Sequence, residues 1–194
     1  MIIYYFTYFF TKFLSFLFFP RTVKGWDNVP RKGAYILACN HISNLDPVVI
    51  GISTPRRLHF MAKAELFKQP FVGWWLRKLW AFPIKRGEAD FRALKESLKW
   101  LKKGEPVLVF PEGTRRKEDK PVNPQPGTGF IALKSQAPIV PVYVRGSDVV
   151  MPPGAKFLKR SLILVTYGKP FFVNDTPTYE AASQKILEKI YKLS

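Results

Sequence analysis

The chain has 194 residues, enough for one domain with a full hydrophobic core, and its 31 Lys and Arg against 14 Asp and Glu give a formal charge of +17. A charge of that size calls for an anionic partner: nucleic acid, an acidic membrane, a phosphorylated substrate or an acidic carrier protein. The lone Cys39 excludes an internal disulfide and an all-cysteine metal cage, and two histidines far apart in sequence offer no metal-ligand cluster.

Residues 1–20, MIIYYFTYFFTKFLSFLFFP, hold ten aromatic residues and one charge, Lys12. Such a run is long enough to cross a bilayer or to lie in its surface. Thr7, Thr11 and Ser15 recur every fourth residue and draw a thin polar stripe along one side of a helix, which favours an interfacial anchor over a free spanning helix. No basic region precedes the run, so a cleaved signal peptide is not expected. Arg21 and Lys24 follow it and put the remainder on the cytoplasmic side. The expected division is a membrane-associated helix over 1–22 and one catalytic domain over 23–194.

Gly25 to Gly33 is polar and turn-rich, and Tyr35 to Cys39 reads as a buried strand. Cys39 at its end is expected to be a buried structural thiol. Asn40-His41-Ile42-Ser43-Asn44-Leu45-Asp46-Pro47 follows, rich in turn and helix-start residues. On one continuous helix His41 and Asp46 would point roughly 140° apart, so they meet only across a turn. A turn there sets His41 at the carboxyl end of a strand, a common site position in open α/β sheets. Asp46 then fixes one imidazole tautomer and leaves the other nitrogen to take a proton from a substrate hydroxyl. No Gly-x-Ser-x-Gly sequence supplies a protein nucleophile.

Arg56 to Ala62 reads as a strand, with His59 in a structural role. Residues 64–80, AELFKQPFVGWWLRKLW, set tryptophans beside Lys68, Arg77 and Lys78, which suits either a packed helix or a membrane-facing surface. Ala81 to Gly87 is a short strand ending in Lys85 and Arg86. Asp90 caps a helix whose apolar stripe is Phe91, Leu94, Leu98 and Leu101.

Pro106 to Phe110 has the compact apolar character of a central parallel strand. It runs into Pro111-Glu112-Gly113-Thr114-Arg115, where a glycine allows close backbone approach and an arginine offers a planar fork for phosphate or carboxylate. Residues 116–128 form a proline-rich loop with the character of a flap. A helix over Phe130 to Lys134, strands over Ile139 to Val144 and Ser161 to Gly168, and a final helix from Pro177 to Leu193 complete an α/β chain without internal repeats.

Four of these segments resemble, in order, the motifs of the lysophosphatidic acid acyltransferase family, the PlsC-type 1-acyl-sn-glycerol-3-phosphate acyltransferases. They are Asn40-His41-x4-Asp46, Phe82-Pro83-Ile84-Lys85-Arg86, Phe110-Pro111-Glu112-Gly113-Thr114-Arg115 and Ile139-Val140-Pro141-Val142. The resemblance implies a mixed, largely parallel central sheet flanked by helices. It implies transfer of a fatty acyl group from an acyl-CoA or acyl-carrier-protein thioester to the sn-2 hydroxyl of lysophosphatidate, giving phosphatidic acid. His41 would be the general base and Asp46 its orienting partner, and Arg86 and Arg115 would hold the phosphate in a pocket shaped by Glu112, Gly113 and Thr114. A thioester is already activated, so neither metal nor cofactor is expected. Arg116 departs from the family, where many members have serine. The partners implied are an anionic phospholipid membrane, lysophosphatidate and the thioester donor. The competing readings are the same chemistry on another lysolipid, and a non-catalytic basic protein binding membranes or nucleic acid. The last is disfavoured because the charge is spread along the chain and no nucleic-acid motif occurs.

Overall fold

The computed structural model describes residues 2–85, 90–115, 123–155 and 157–194. A seven-stranded sheet carries the fold in the order β1-β7-β6-β2-β5-β3-β4. Its strands are β1 Arg21–Lys24, β2 Ile36–Cys39, β3 His59–Lys63, β4 Ala81–Ile84, β5 Val107–Val109, β6 Ile139–Arg145 and β7 Ile163–Tyr167. From β6 to β4 neighbouring strands are parallel, β7 runs antiparallel to β6, and β1 is parallel to β7. The mixed, largely parallel sheet expected from the sequence is the one observed.

The helices are α1 Ile2–Phe18, α2 Asp46–Ser53, α3 Pro70–Lys78, α4 Phe91–Lys102, α5 Pro126–Ser135, α6 Ser147–Val150 and α7 Tyr179–Tyr191. Side chains alternate across the central strands, as the two-residue period of a strand requires. Leu37, Cys39, Leu108, Val140 and Val142 face a core shared with Val49, Ile50 and Ile52 of α2 and with Phe19 just after α1. Ile36, Ala38, Val107, Val109 and Ile139 face the other way, against Leu101 of α4, Ile131 of α5, and Ile186 and Ile190 of α7. Both faces of β2 and β5 are therefore covered, which is why these runs are apolar at every position. Burying each such side chain stabilises the fold by about 1.5–3 kcal/mol.

Several boundaries differ from the sequence-based expectation. Arg21–Lys24 forms an edge strand, so a division after residue 22 falls inside β1. Helix α5 begins at Pro126 and includes Gly127, which read as loop from sequence, and Gly129. Gly129 is there for packing: a Cβ on it would lie 1.9 Å from the carbonyl oxygen of Tyr179, so only glycine lets α5 meet α7. Phe91, expected on the buried stripe of α4, is exposed, and Ala93, Ser97 and Leu101 face inward. Asp90 does cap α4, accepting from the backbone N–H groups of Arg92 and Ala93.

The polar stripe of α1 also turns out differently. It faces the protein. Ser15 is buried and accepts a hydrogen bond from the Arg21 guanidinium, and Thr7 Oγ1 lies 3.2 Å from Trp75 Nε1 of α3. The aromatic side faces out, with Phe6 and Phe16 exposed at 70% and 75%. Among the described residues no helix is long and apolar enough to cross a membrane.

Candidate active site

The chain passes from β2 out to β3 and β4, returns to insert β5 beside β2, and then crosses β2 to place β6 on its far side. Such a reversal opens a crevice above the carboxyl ends of the strands at the switch point. His41 follows β2 and Phe110 follows β5 at that crevice. The side chain of Asn40 continues the ladder there: its Nδ2 donates to Val144 O at 2.8 Å, and its Oδ1 accepts from Val144 N at 2.7 Å.

The turn after Asn40 wraps around one carboxylate. Asp46 is fully buried, and its Oδ2 receives the backbone N–H of Ile42 at 2.7 Å, that of Ser43 at 2.8 Å, and His41 Nδ1 at 2.9 Å. Its Oδ1 receives the hydroxyl of Ser147, at the start of α6. With every neighbour donating, the carboxylate acts as acceptor, so Nδ1 carries the hydrogen it shares with Asp46 and Nε2 is the ring nitrogen left for a substrate. The imidazole stacks on Phe110 with ring centroids 4.2 Å apart, which fixes its plane.

A cavity of about 480 Å³ opens beside this ring. Its walls are mostly apolar: Val48, Gly51 and Ile52 of α2, Phe60 and Met61 of β3, Trp75, Leu76 and Leu79 of the α3 region, and Leu108. Helix α1 closes the remaining side with Tyr4, Thr7, Tyr8 and Thr11. The lining also includes His41 and two cations, Arg115 and Lys63 from the end of β3. Size and lining are those of a site for a largely apolar ligand with a charged head, within the range of roughly 300–1,000 Å³ usual for ligand pockets.

Of the residues expected at the site, His41, Asp46 and Arg115 converge. Arg86 and Arg116 lie outside the described residues, as do residues 116–122 of the proline-rich loop. Glu112 stands against the backbone of His41. It is buried, its Oε2 accepts the backbone N–H of His41 at 3.2 Å, and its Oε1 accepts the hydroxyl of Tyr191 from α7. Gly113 makes the turn that separates Glu112 from Arg115: its φ is +68°, and a Cβ would stand 2.7 Å from the Gln125 side chain. Thr114 is exposed. Lys63, Ser147 and Tyr191 were missed from sequence, since they reach the site only through strand pairing and helix packing.

His59 stays outside the site, buried between the indoles of Trp80 and Trp100 with ring centroids 4.5 and 3.8 Å away. Burial lowers its pKa to about 4, so it is a neutral core residue. Burial likewise pushes the Cys39 thiol up, as expected of an inert structural cysteine.

Residues 20–145 match the family described as Acyltransferase, and this span holds His41, Asp46, Glu112 and Arg115. The chain belongs to the acyltransferase family. It is 33% identical over 150 residues to a protein of Bacillus subtilis named 1-acyl-sn-glycerol-3-phosphate acyltransferase, covering 77% of this chain and 72% of that one. A protein of the same name from Streptococcus pneumoniae is 32% identical over 152 residues, covering 77% of this chain and 54% of that one. The crystal structure of the 1-acyl-sn-glycerophosphate acyltransferase PlsC from Thermotoga maritima superposes with a TM-score of 0.83 at 28% identity, covering 95% of this chain and 75% of that one. The protein is thus an acyl-transferring enzyme, and it spans about half the length of several of the curated relatives that it matches.

Proposed function

We propose that the enzyme moves a fatty acyl group from an acyl-CoA or acyl-carrier-protein thioester to the sn-2 hydroxyl of 1-acyl-sn-glycerol-3-phosphate, giving phosphatidic acid. The reading rests on one observation: a histidine held 2.9 Å from a buried aspartate lines a mostly apolar cavity whose lining also includes two cations. His41 Nε2 takes the proton of the lipid hydroxyl as its oxygen attacks the thioester carbonyl. The tetrahedral intermediate collapses, the carbon–sulfur bond breaks, and the imidazolium returns the proton to the departing thiolate. Asp46 keeps the ring oriented and offsets its transient positive charge. Arg115 and Lys63, joined by Arg86 from the second motif, hold the acceptor's phosphate, and the apolar walls receive an acyl chain. Positioning of two bound reactants supplies much of the acceleration, since a thioester needs no further activation.

The outward aromatic face of α1 supports a membrane-bound enzyme with this helix as an interfacial anchor at the cytoplasmic face. Side chains such as Phe6, Phe9, Phe13 and Phe16 suit the boundary between headgroups and acyl chains.

Purified protein supplied with lysophosphatidate and each thioester donor in turn, with the lipids resolved by mass, tests the proposal. Phosphatidic acid is expected with at least one donor. Absence of product with every donor, or unchanged product in His41→Ala, would sink it.

A further inference from the structure

The segment between α6 and β7 has no part in the chemistry just described, yet it carries the most exposed aromatic side chain outside α1. Phe157 is 84% exposed and Leu162 59%, Leu158 is also exposed, and Lys159 and Arg160 between them are both open to solvent. Such a cluster of apolar and basic side chains has little reason to face water in a folded enzyme.

Its place in the fold is informative. Val150 and Met151, where the segment begins, pack in the same core as Phe19 at the end of α1. Where the segment ends, the backbone N–H of Ile163 donates to Pro20 O at 2.9 Å. The loop therefore borders the last turn of α1, whose Phe16, Leu17 and Phe18 are exposed. Met151 O accepts the hydroxyl of Ser43, two residues from His41, so the loop also borders the crevice. Leu66, which lines the cavity, and Phe71 and Trp74 nearby in sequence are exposed, as is Lys68.

We infer that residues 157–162 form a second membrane-inserting element, in which Phe157, Leu158 and Leu162 enter the acyl layer and Lys159 and Arg160 meet anionic headgroups. Two features name a bilayer as the occupant: the loop continues the apolar surface of α1, and its cations complement acidic lipid. One helix lying in a surface leaves the molecule free to roll about its axis. A second contact to one side of that axis stops the roll and fixes the crevice against the lipid from which the acceptor must come. The inference rests on the membrane reading of α1.

The test uses the full chain carrying Phe157→Cys, labelled with an environment-sensitive fluorophore; buried Cys39 does not compete for the label. With mixed phosphatidylcholine and phosphatidylglycerol vesicles, a blue shift and quenching by chain-brominated lipid are expected. In the unlabelled chain, Lys159→Glu and Arg160→Glu should each weaken vesicle binding about fivefold. Phe157→Ser combined with Leu162→Ser should cut turnover of vesicle-borne acceptor severalfold while sparing a short-chain acceptor in free solution. A label that stays water-like on protein that sediments with vesicles would overturn the second contact and leave α1 as the anchor. Failure to sediment at all would overturn both. Docking of an acidic carrier protein on these residues, without a response to vesicles, would also overturn it.

Discussion

The hydroxyl of Ser147 donates to Asp46 Oδ1, while His41 Nδ1 occupies Oδ2 of the same carboxylate. Residue 147 opens α6, which follows β6, and residue 46 opens α2, so this bond ties the orientation of the base to the far side of the crevice. Ser147→Ala removes a donor to a buried charged group, an interaction worth about 1.5–3 kcal/mol. It should lower kcat about tenfold with KM little changed, and Ser147→Thr should restore part of the loss. His41→Ala should cost between about a hundred- and ten-thousandfold in kcat with thermal unfolding near that of the parent. Steady-state kinetics beside circular dichroism melts check both.

Arg115 and Lys63 line the same cavity as His41. If they hold the phosphate as proposed, loss of either cation removes binding that is equal in ground and transition states, so KM for lysophosphatidate should rise about ten- to a hundredfold with kcat nearly constant. An acceptor without phosphate should be insensitive to both substitutions. If Arg115→Ala leaves KM for lysophosphatidate unchanged, the phosphate is held elsewhere.

Gly51 lines the cavity from α2, and a Cβ built on it meets nothing within 4 Å. A larger side chain there enters empty space, so the fold tolerates it while the cavity shortens. Gly51→Leu should shift the preference among thioester donors toward shorter chains, read as a fall in the kcat/KM ratio of long to short acyl groups. A parallel loss for all chain lengths would place the acyl chain outside this cavity.

His59 has a pKa of about 4 in the folded state against 6.5 in the open chain, because burial between two indoles opposes charge. Below pH 6.5 the unfolded chain binds a proton that the folded one refuses, so stability falls with pH, by about 1.4 kcal/mol per unit, until the folded ring itself titrates near 4. Urea denaturation at pH 7 and pH 5 should reveal this slope. In His59→Asn, less stable at neutral pH, the slope should be shallower.

The dyad was legible because its geometry is local: five residues, with Asn40, Ser43 and Pro47 supplying turn chemistry, bring His41 and Asp46 together wherever the chain goes next. Arg115 was legible for a similar reason, standing just past an apolar strand that could only be central. The partners of Glu112 were not legible, because adjacency in sequence hides the turn at Gly113, which sends Glu112 to the backbone of His41 while Arg115 lines the cavity. Lys63, Ser147 and Tyr191 carry no local mark of function. Only the strand order and the packing of α7 deliver them to the crevice. The stripe on α1 was seen, but a period of four residues says which groups share a face and nothing about what that face meets.

Since Tyr4, Thr7, Tyr8 and Thr11 form one wall of the cavity beside His41, α1 cannot be trimmed like a disposable tail. A version shortened to make the enzyme easier to handle would leave Phe60 and Leu108 looking into an open trough, and under the proposed function it would lose its grip on the acyl chain along with its hold on lipid. Exchanging the outward phenylalanines for glutamine or lysine, and leaving the threonine edge untouched, is the route to a water-borne catalyst.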